Sequence, residues 1–157
     1  MMTTEGGFMS WQALETANPT LAAFGQERIN RKVCYLATVR KDGSPRVHPV
    51  TPMVGSGKLF VFMEPTSPKG HDLRRGSHYA LHCSVSDNSG GGGEFIITGR
   101  GHFTDDPAQR ALATQHASYQ PADRYILFEL TVESAQSTVY AADGPLRQQW
   151  SNQAALS

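Results

Sequence analysis

Along the chain, apolar positions first recur every three or four residues and then, from about residue 33, every second residue. The opening stretch "SWQALETANPTLAAFGQERIN" (10–30) reads as two short amphipathic helices. Ser10 and Asn18 serve as N-caps, and Pro19 is the first residue of the second helix. "VCYLATV" (33–39) is rich in β-branched and aromatic residues and reads as a strand. "KDGS" (41–44) carries the Asp-Gly signal of a hairpin into "PRVHPVTPMV" (45–54), and "GSG" (55–57) turns the chain into "KLFVFM" (58–63). The first half is therefore expected to form a three-stranded meander.

A short helix from Pro68 follows, then a strand "YALHCSV" (79–85), a flexible loop "SDNSGGGGE" (86–94) and a strand "EFIITGRGHF" (94–103). "DDPAQRALATQHASY" opens a helix with Asp106 as cap and Pro107 as first residue. "YILFELTVESAQSTVYA" (125–141) supplies one or two more strands. Short links favour antiparallel pairing, and barrel closure removes exposed edges. The expected fold is mainly β with short helices (α+β), a six-stranded antiparallel split β-barrel. It forms one domain over 1–157, with an N-terminal helical segment (1–31), a barrel (32–141) and a C-terminal tail (142–157).

Composition narrows the function. A chain of 157 residues, 39% hydrophobic, is long enough to bury roughly two-thirds of its unfolded surface. Fourteen basic residues balance fourteen acidic ones, so nothing points to nucleic acid or an anionic membrane as partner. Cys34 and Cys83 lie within apolar runs and form no Cys-x-x-Cys, as expected of buried thiols in a reducing compartment. No apolar run approaches a membrane span, and no leader is legible at the N-terminus; a cytoplasmic protein is expected. The four glycines at 90–93 lack a following Gly-Lys-Ser/Thr and lead into a strand, so they do not make a phosphate loop. Gly-x-Ser-x-Gly and His-Glu-x-x-His are absent, and Asp105–Asp106 reads as a helix cap rather than a metal site.

"PTSPKGHDLRR" (65–75) is the stretch with most chemistry. Ser67 sits at an N-cap position and Pro68 at the first helical one. The N–H groups of Lys69, Gly70 and His71 would then point outward beside a lysine ammonium, as an anion site requires. Gly70 would let a ligand approach closely. A normally capped surface helix solvated by its lysine is the other reading. The preceding strand alternates Arg46, His48 and Val50 with Val47, Pro49, Thr51 and Met53. Pro49 and Pro52 interrupt its ladder, so a planar heterocycle could take part of that hydrogen-bonding edge, with Arg46 reaching a phosphate shared with Lys69. A bulged edge strand with a solvent-facing arginine remains the alternative.

"LATVRKDGSPRVHPV", "KLFVFMEPTSPKGHDLRRGSHYALH" and "GEFIITGRGHF" together resemble the pyridoxamine 5′-phosphate oxidase-like family of flavin mononucleotide (FMN)-binding split barrels. The resemblance runs from about Trp11 to Phe103. It implies a homodimer with FMN in clefts between protomers and a small-molecule substrate. Arg46, Ser67, Pro68 and Lys69 would lie at the phosphate. Val47, His48, Pro49 and Val50 would line the isoalloxazine through their main chain, with Phe62 and Met63 nearby. Related split barrels carry a deazaflavin or haem, and these are the alternative cofactors.

The family's substrate-phosphate motifs, Tyr-x3-Arg-x3-Ser and a C-terminal Arg-x-His, are missing; "DPAQRALATQHASY" and "LRQQW" stand in their places. A lysine expected on the second strand is replaced by Thr51 or a neighbour. Vitamin formation is therefore not expected. The expected activity is an FMN-dependent oxidoreductase on an unidentified small molecule, with a non-catalytic flavin store or sensor as alternative. No catalytic residue is assigned. His48 is the best candidate for proton exchange if it is not simply a wall. His78, His82 and His102 on strands leave haem ligation open, and no metal site is expected.

Overall fold

A computed structural model describes residues 9–153. The element order is α1 (Trp11–Ala17), α2 (Pro19–Ile29), β1 (Cys34–Val39), β2 (Pro45–Val50), β3 (Met53–Gly55), β4 (Lys58–Met63), α3 (Pro68–Arg74), β5 (His78–Cys83), β6 (Glu94–Thr104), α4 (Pro107–His116), β7 (Ile126–Leu130), β8 (Ser134–Ala141) and β9 (Gly144–Ser151). The antiparallel, mainly β class expected from the sequence is borne out.

The sheet has nine strands rather than six. "PRVHPVTPMV" is broken at Thr51–Pro52 into β2 and β3, and the 125–141 segment divides into β7 and β8. The expected tail from 142 onward instead holds β9, which pairs with β8 in register from Ser134↔Ser151 to Ala141↔Gly144. An Asp143-Gly144 turn joins them, with Gly144 at φ 115°, a left-handed value that glycine adopts at little cost.

The main strand order is β2-β1-β5-β6-β7-β4-β3, with β8 and β9 branching from β6. The two ends of this curl, β2 and β3, are joined by residues 51 and 52 alone. One continuous stretch thus passes from one edge of the sheet to the other, and the barrel is split there. β6 spans both halves: Glu94–Thr98 pairs with β8, and Gly101–Thr104 pairs with β7. At Gly99, between these registers, a Cβ would lie 2.1 Å from the Thr131 carbonyl oxygen. That position requires glycine for the close approach of the chains.

The alternation read from the sequence places the core. Leu36, Leu59, Leu81, Phe95, Ile97 and Phe128 are all buried in one cluster in the curl. Trp11, Leu14, Leu21 and Ile29 of the two leading helices join the same cluster. Phe95 is its hub, with the Trp11 and Phe24 rings edge-on at 6.1 and 6.5 Å. The helix starts follow their caps: Asn18 Oδ1 accepts from Leu21 N, and Asp106 accepts from Ala108 N. Cys34 and Cys83 are buried free thiols directly opposite each other on β1 and β5. Burial, then the neighbouring Cys83, pushes the Cys34 thiol up to about 12, so it is inert at neutral pH.

Candidate functional site

The β2 edge and helix α3 bring most of the expected residues together. β2 pairs with β1 on one side only, so its other edge is open, and Val50 is the one β2 residue that reaches the core. α3 returns from β4 and buries Lys69, Gly70, Asp72 and Leu73.

Two clefts flank this junction. The first, of about 250 Å³, is lined by Pro49, Val50, Phe62, Met63 and Lys69 among the expected residues. Thr51, Glu64, Tyr119 and Tyr125 complete its wall. The second, of about 490 Å³, is lined by Arg46 and Pro68 together with Arg40, Lys41, Asp42, His71, Asp72 and Arg75. Val47 and His48 line neither. The Val47 side chain is 64% exposed, on the strand face opposite Arg46.

Lys69 has an unusual environment. Its side chain is buried, and its Nζ donates to Ser67 Oγ at 2.8 Å. Among the described residues no carboxylate lies within ion-pair distance of it. Desolvation lowers its pKa, as expected for a buried ammonium without a counter-ion. Arg46 stands differently. Its Nε donates to Asp72 Oδ2 at 2.8 Å, and the same carboxylate oxygen accepts from Thr38 Oγ1 at 2.7 Å. Arg75 pairs with the other oxygen of Asp72. Burial pushes the Asp72 carboxyl up, but the hydrogen bonds from Arg46, Thr38 and Arg75 outweigh it and hold the pKa below its ordinary value. The His48 pKa is pushed down by desolvation and then by the charges of Lys69 and Arg46.

Two details of the start of α3 correct the sequence expectation. The N–H groups of Gly70 and His71 do not point outward unpaired; both donate to the Ser67 carbonyl, at 3.0 and 3.2 Å. Gly70 does not face a ligand either. A Cβ there would lie 3.0 Å from Met63 Sδ, so the missing side chain lets the helix seat on β4. The buried cation of this region is the Lys69 side chain.

Asp72, Tyr119 and Tyr125 are among the wall residues that escaped the sequence reading. Asp72 meets Arg46 and Thr38 across 26 and 34 residues of chain, and local pattern cannot show that. Tyr119 and Tyr125 sit in the link after α4, where nothing periodic marks them. This link is tied to the end of β4 by a forked Arg124–Glu64 pair at 2.6–3.1 Å, and to α4 by Arg110, which donates to the Tyr125 and Ala122 carbonyls. Of the strand histidines, His82 Nδ1 lies 2.6 Å from the Cys83 carbonyl oxygen, and His78 contacts Arg100 and Glu133. Among the described residues no group of three or more potential metal ligands gathers. Nor is any helix there long and apolar enough to cross a membrane.

The curled antiparallel sheet defines the fold class as a split barrel, and comparison with known proteins gives the family. The sequence profile of the pyridoxamine 5′-phosphate oxidase family matches residues 21–139. The chain belongs to that family.

No curated protein matches the chain. Solved structures match by fold. One is a Clostridium acetobutylicum protein of the pyridoxinephosphate oxidase family, related to general stress protein 26 (TM-score 0.59, 13% identity, 91% of this chain and 97% of that one). Another is an F420 reductase (TM-score 0.55, 16% identity, 70% and 94%). A third is the haem storage protein HutZ of Vibrio cholerae (TM-score 0.53, 18% identity, 74% and 89%).

Proposed function

We propose that this protein binds FMN in the cleft between β2, β4 and α3 and acts as a flavin-dependent oxidoreductase on a small molecule in the cytoplasm. The observation that carries the reading is Lys69: a buried ammonium held by one hydroxyl, with no carboxylate within ion-pair distance among the described residues. A phosphate would supply the missing counter-charge and restore the energy lost on desolvation. Ser67 would orient the ammonium, and Arg46, held at Nε by Asp72, keeps its terminal Nη groups for an acceptor nearby. Along β2, the open-edge main chain from Val47 to Val50 can take hydrogen bonds from a planar ring. Phe62, Met63, Tyr119 and Tyr125 give that ring apolar and aromatic walls. When bound, the flavin supplies hydride or electron transfer, and the protein's part is orientation and electrostatics. With its pKa pushed down, His48 is neutral at pH 7 and can accept a proton at this edge.

A second copy of the chain would complete the site. Val39, Tyr35 and Val47 are 43%, 47% and 64% exposed, and they sit in register with Pro45, Pro49 and Ala37 on the outer β1–β2 face. This contiguous apolar patch beside the cleft supports a homodimer with the cofactor between protomers. The names of two similar structures, an F420 reductase and a haem storage protein, motivate a second reading in which the same cleft takes a deazaflavin or haem.

Absorbance titration of the purified protein with FMN, a deazaflavin and haem separates these readings. FMN binding alone is expected. A Soret band with haem and no flavin shift would replace the proposal. Oxidation of a reduced nicotinamide by the FMN-loaded protein would then separate an enzyme from a flavin store.

A further inference from the structure

The chain carries lysines at 32, 41, 58 and 69, and the first three stand in ordinary surroundings. Lys41 is exposed in the β1–β2 turn. Lys32 is exposed and its Nζ donates to the Glu27 carbonyl at 2.6 Å. Lys58 Nζ pairs with Glu129 Oε1 at 3.1 Å. Lys69 alone is buried, and its Nζ meets the Ser67 hydroxyl. Glu64 is the one carboxylate on the wall of the Lys69 cleft, and Arg124 already holds it in a fork.

An ammonium has no free electron pair, so a lysine attacks carbon only as the neutral amine. Desolvation without a counter-charge favours that form and makes such a lysine a nucleophile. The Lys69 side chain forms part of the wall of the 250 Å³ cleft, beside Phe62, Met63, Tyr119 and Tyr125. An apolar cavity of about 150 Å³ already takes one benzene ring, so a single-ring molecule fits here. The site thus combines an uncommon amine with aromatic walls.

We propose that Lys69 is a covalent capture site: in the cofactor-free cleft its Nζ forms a reversible imine with a small aromatic aldehyde, whose ring packs against the aromatic wall. The ammonium first releases a proton to water. The nitrogen pair then bonds to the carbonyl carbon, and the C=O π pair moves to oxygen, which takes up a proton. Loss of water leaves C=N, so ammonium and aldehyde give imine, water and one proton, with no change of oxidation state. Ser67 Oγ holds Nζ at the wall for this attack. The regulatory consequence rests on the flavin reading: the imine and the FMN phosphate cannot share Lys69, so aldehyde would control cofactor loading.

The full chain, with and without FMN, is treated with benzaldehyde and cyanoborohydride, which reduces the imine to a stable benzylamine. Peptide mass mapping then compares the lysines. One benzyl group per chain is expected, at Lys69, forming about tenfold faster than at Lys41. The preference for Lys69 should shrink with acetaldehyde, which has no ring. Lys69→Arg should show only slow labelling elsewhere, at an unchanged unfolding temperature, and bound FMN should protect Lys69 in the parent. Equal rates at Lys69 and Lys41, or a preference as large with acetaldehyde, would overturn the proposal. Capture at Lys69 by a protein that takes no FMN on titration would support it while removing the flavin reading. FMN binding without capture would do the reverse.

Discussion

The barrel interior and the β2–α3 rim are built on opposite terms. Inside, Phe60, Phe95 and Phe128 are fully buried among apolar neighbours, a core that is complete without any charged group. At the rim, Lys69 and Asp72 are buried at 8% and 1% exposure, and Arg46 is half-buried against Asp72. Hydrophobic burial explains the first region and does not explain the second. Charged groups are seldom buried unless paired. Asp72 is paired three times over, whereas Lys69 has a hydroxyl. The contrast separates residues that hold the fold from residues kept for a ligand.

Truncation in the core should break the contrast most severely. Phe95→Ala removes the ring that Trp11 and Phe24 pack against and is expected to cost about 3–5 kcal/mol in urea unfolding. The FMN affinity of the remaining folded protein should not change. Asp72→Asn is intermediate, because it weakens charge-assisted bonds from two arginines. A loss of about 1.5–3 kcal/mol is expected in the same measurement, together with weaker FMN binding. An Asp72→Asn protein as stable as the parent would make the rim network ornamental. The Asp72 contribution is present above the ordinary carboxylate range and is lost as pH falls through its lowered folded value.

Lys69→Met sharpens the comparison by reversing the sign. Replacing a desolvated ammonium with an apolar side chain should leave stability unchanged or raise it by up to about 1 kcal/mol. Its FMN affinity should fall at least tenfold, about 1.4 kcal/mol. The smallest effect lies at His48. Its folded pKa is depressed, so the unfolded chain binds the proton more readily. Stability is therefore lost as pH drops below about 6.5, and His48→Gln should reduce the difference between unfolding midpoints at pH 7.5 and 5.0. Bound FMN should oppose that loss, because its phosphate offsets the charges of Lys69 and Arg46.

What could be read from the sequence follows the same division. The period-two pattern of 34–39, the Asp-Gly hairpin signal and the Asp106–Pro107 cap are local, and each lies where it was expected. Strand β9 was missed because "PLRQQW" is polar and offers only Leu146 and Trp150 as apolar markers, although Asp143-Gly144 was a usable turn signal. The break at Thr51–Pro52 was legible as two prolines but not as the gap in a barrel, since that depends on how distant strands close. Pro49, Val50, Phe62, Met63 and Lys69 line one cleft, whereas Arg46 and Pro68 line the other. Ser67 sits at the expected N-cap position, but its hydroxyl makes no capping bond and accepts from Lys69. Asp72, Tyr119 and Tyr125 come from long-range packing and left no mark in the sequence.

The central claim is that Lys69 is buried to meet a phosphate, and riboflavin, which is FMN without its phosphate, tests it most directly. Flavin fluorescence titrations would compare FMN with riboflavin on the parent protein and on Lys69→Met. FMN should bind the parent at least tenfold more tightly than riboflavin, and that preference should collapse in the variant. Equal binding of the two flavins by the parent, or a preference that survives Lys69→Met, would contradict the account.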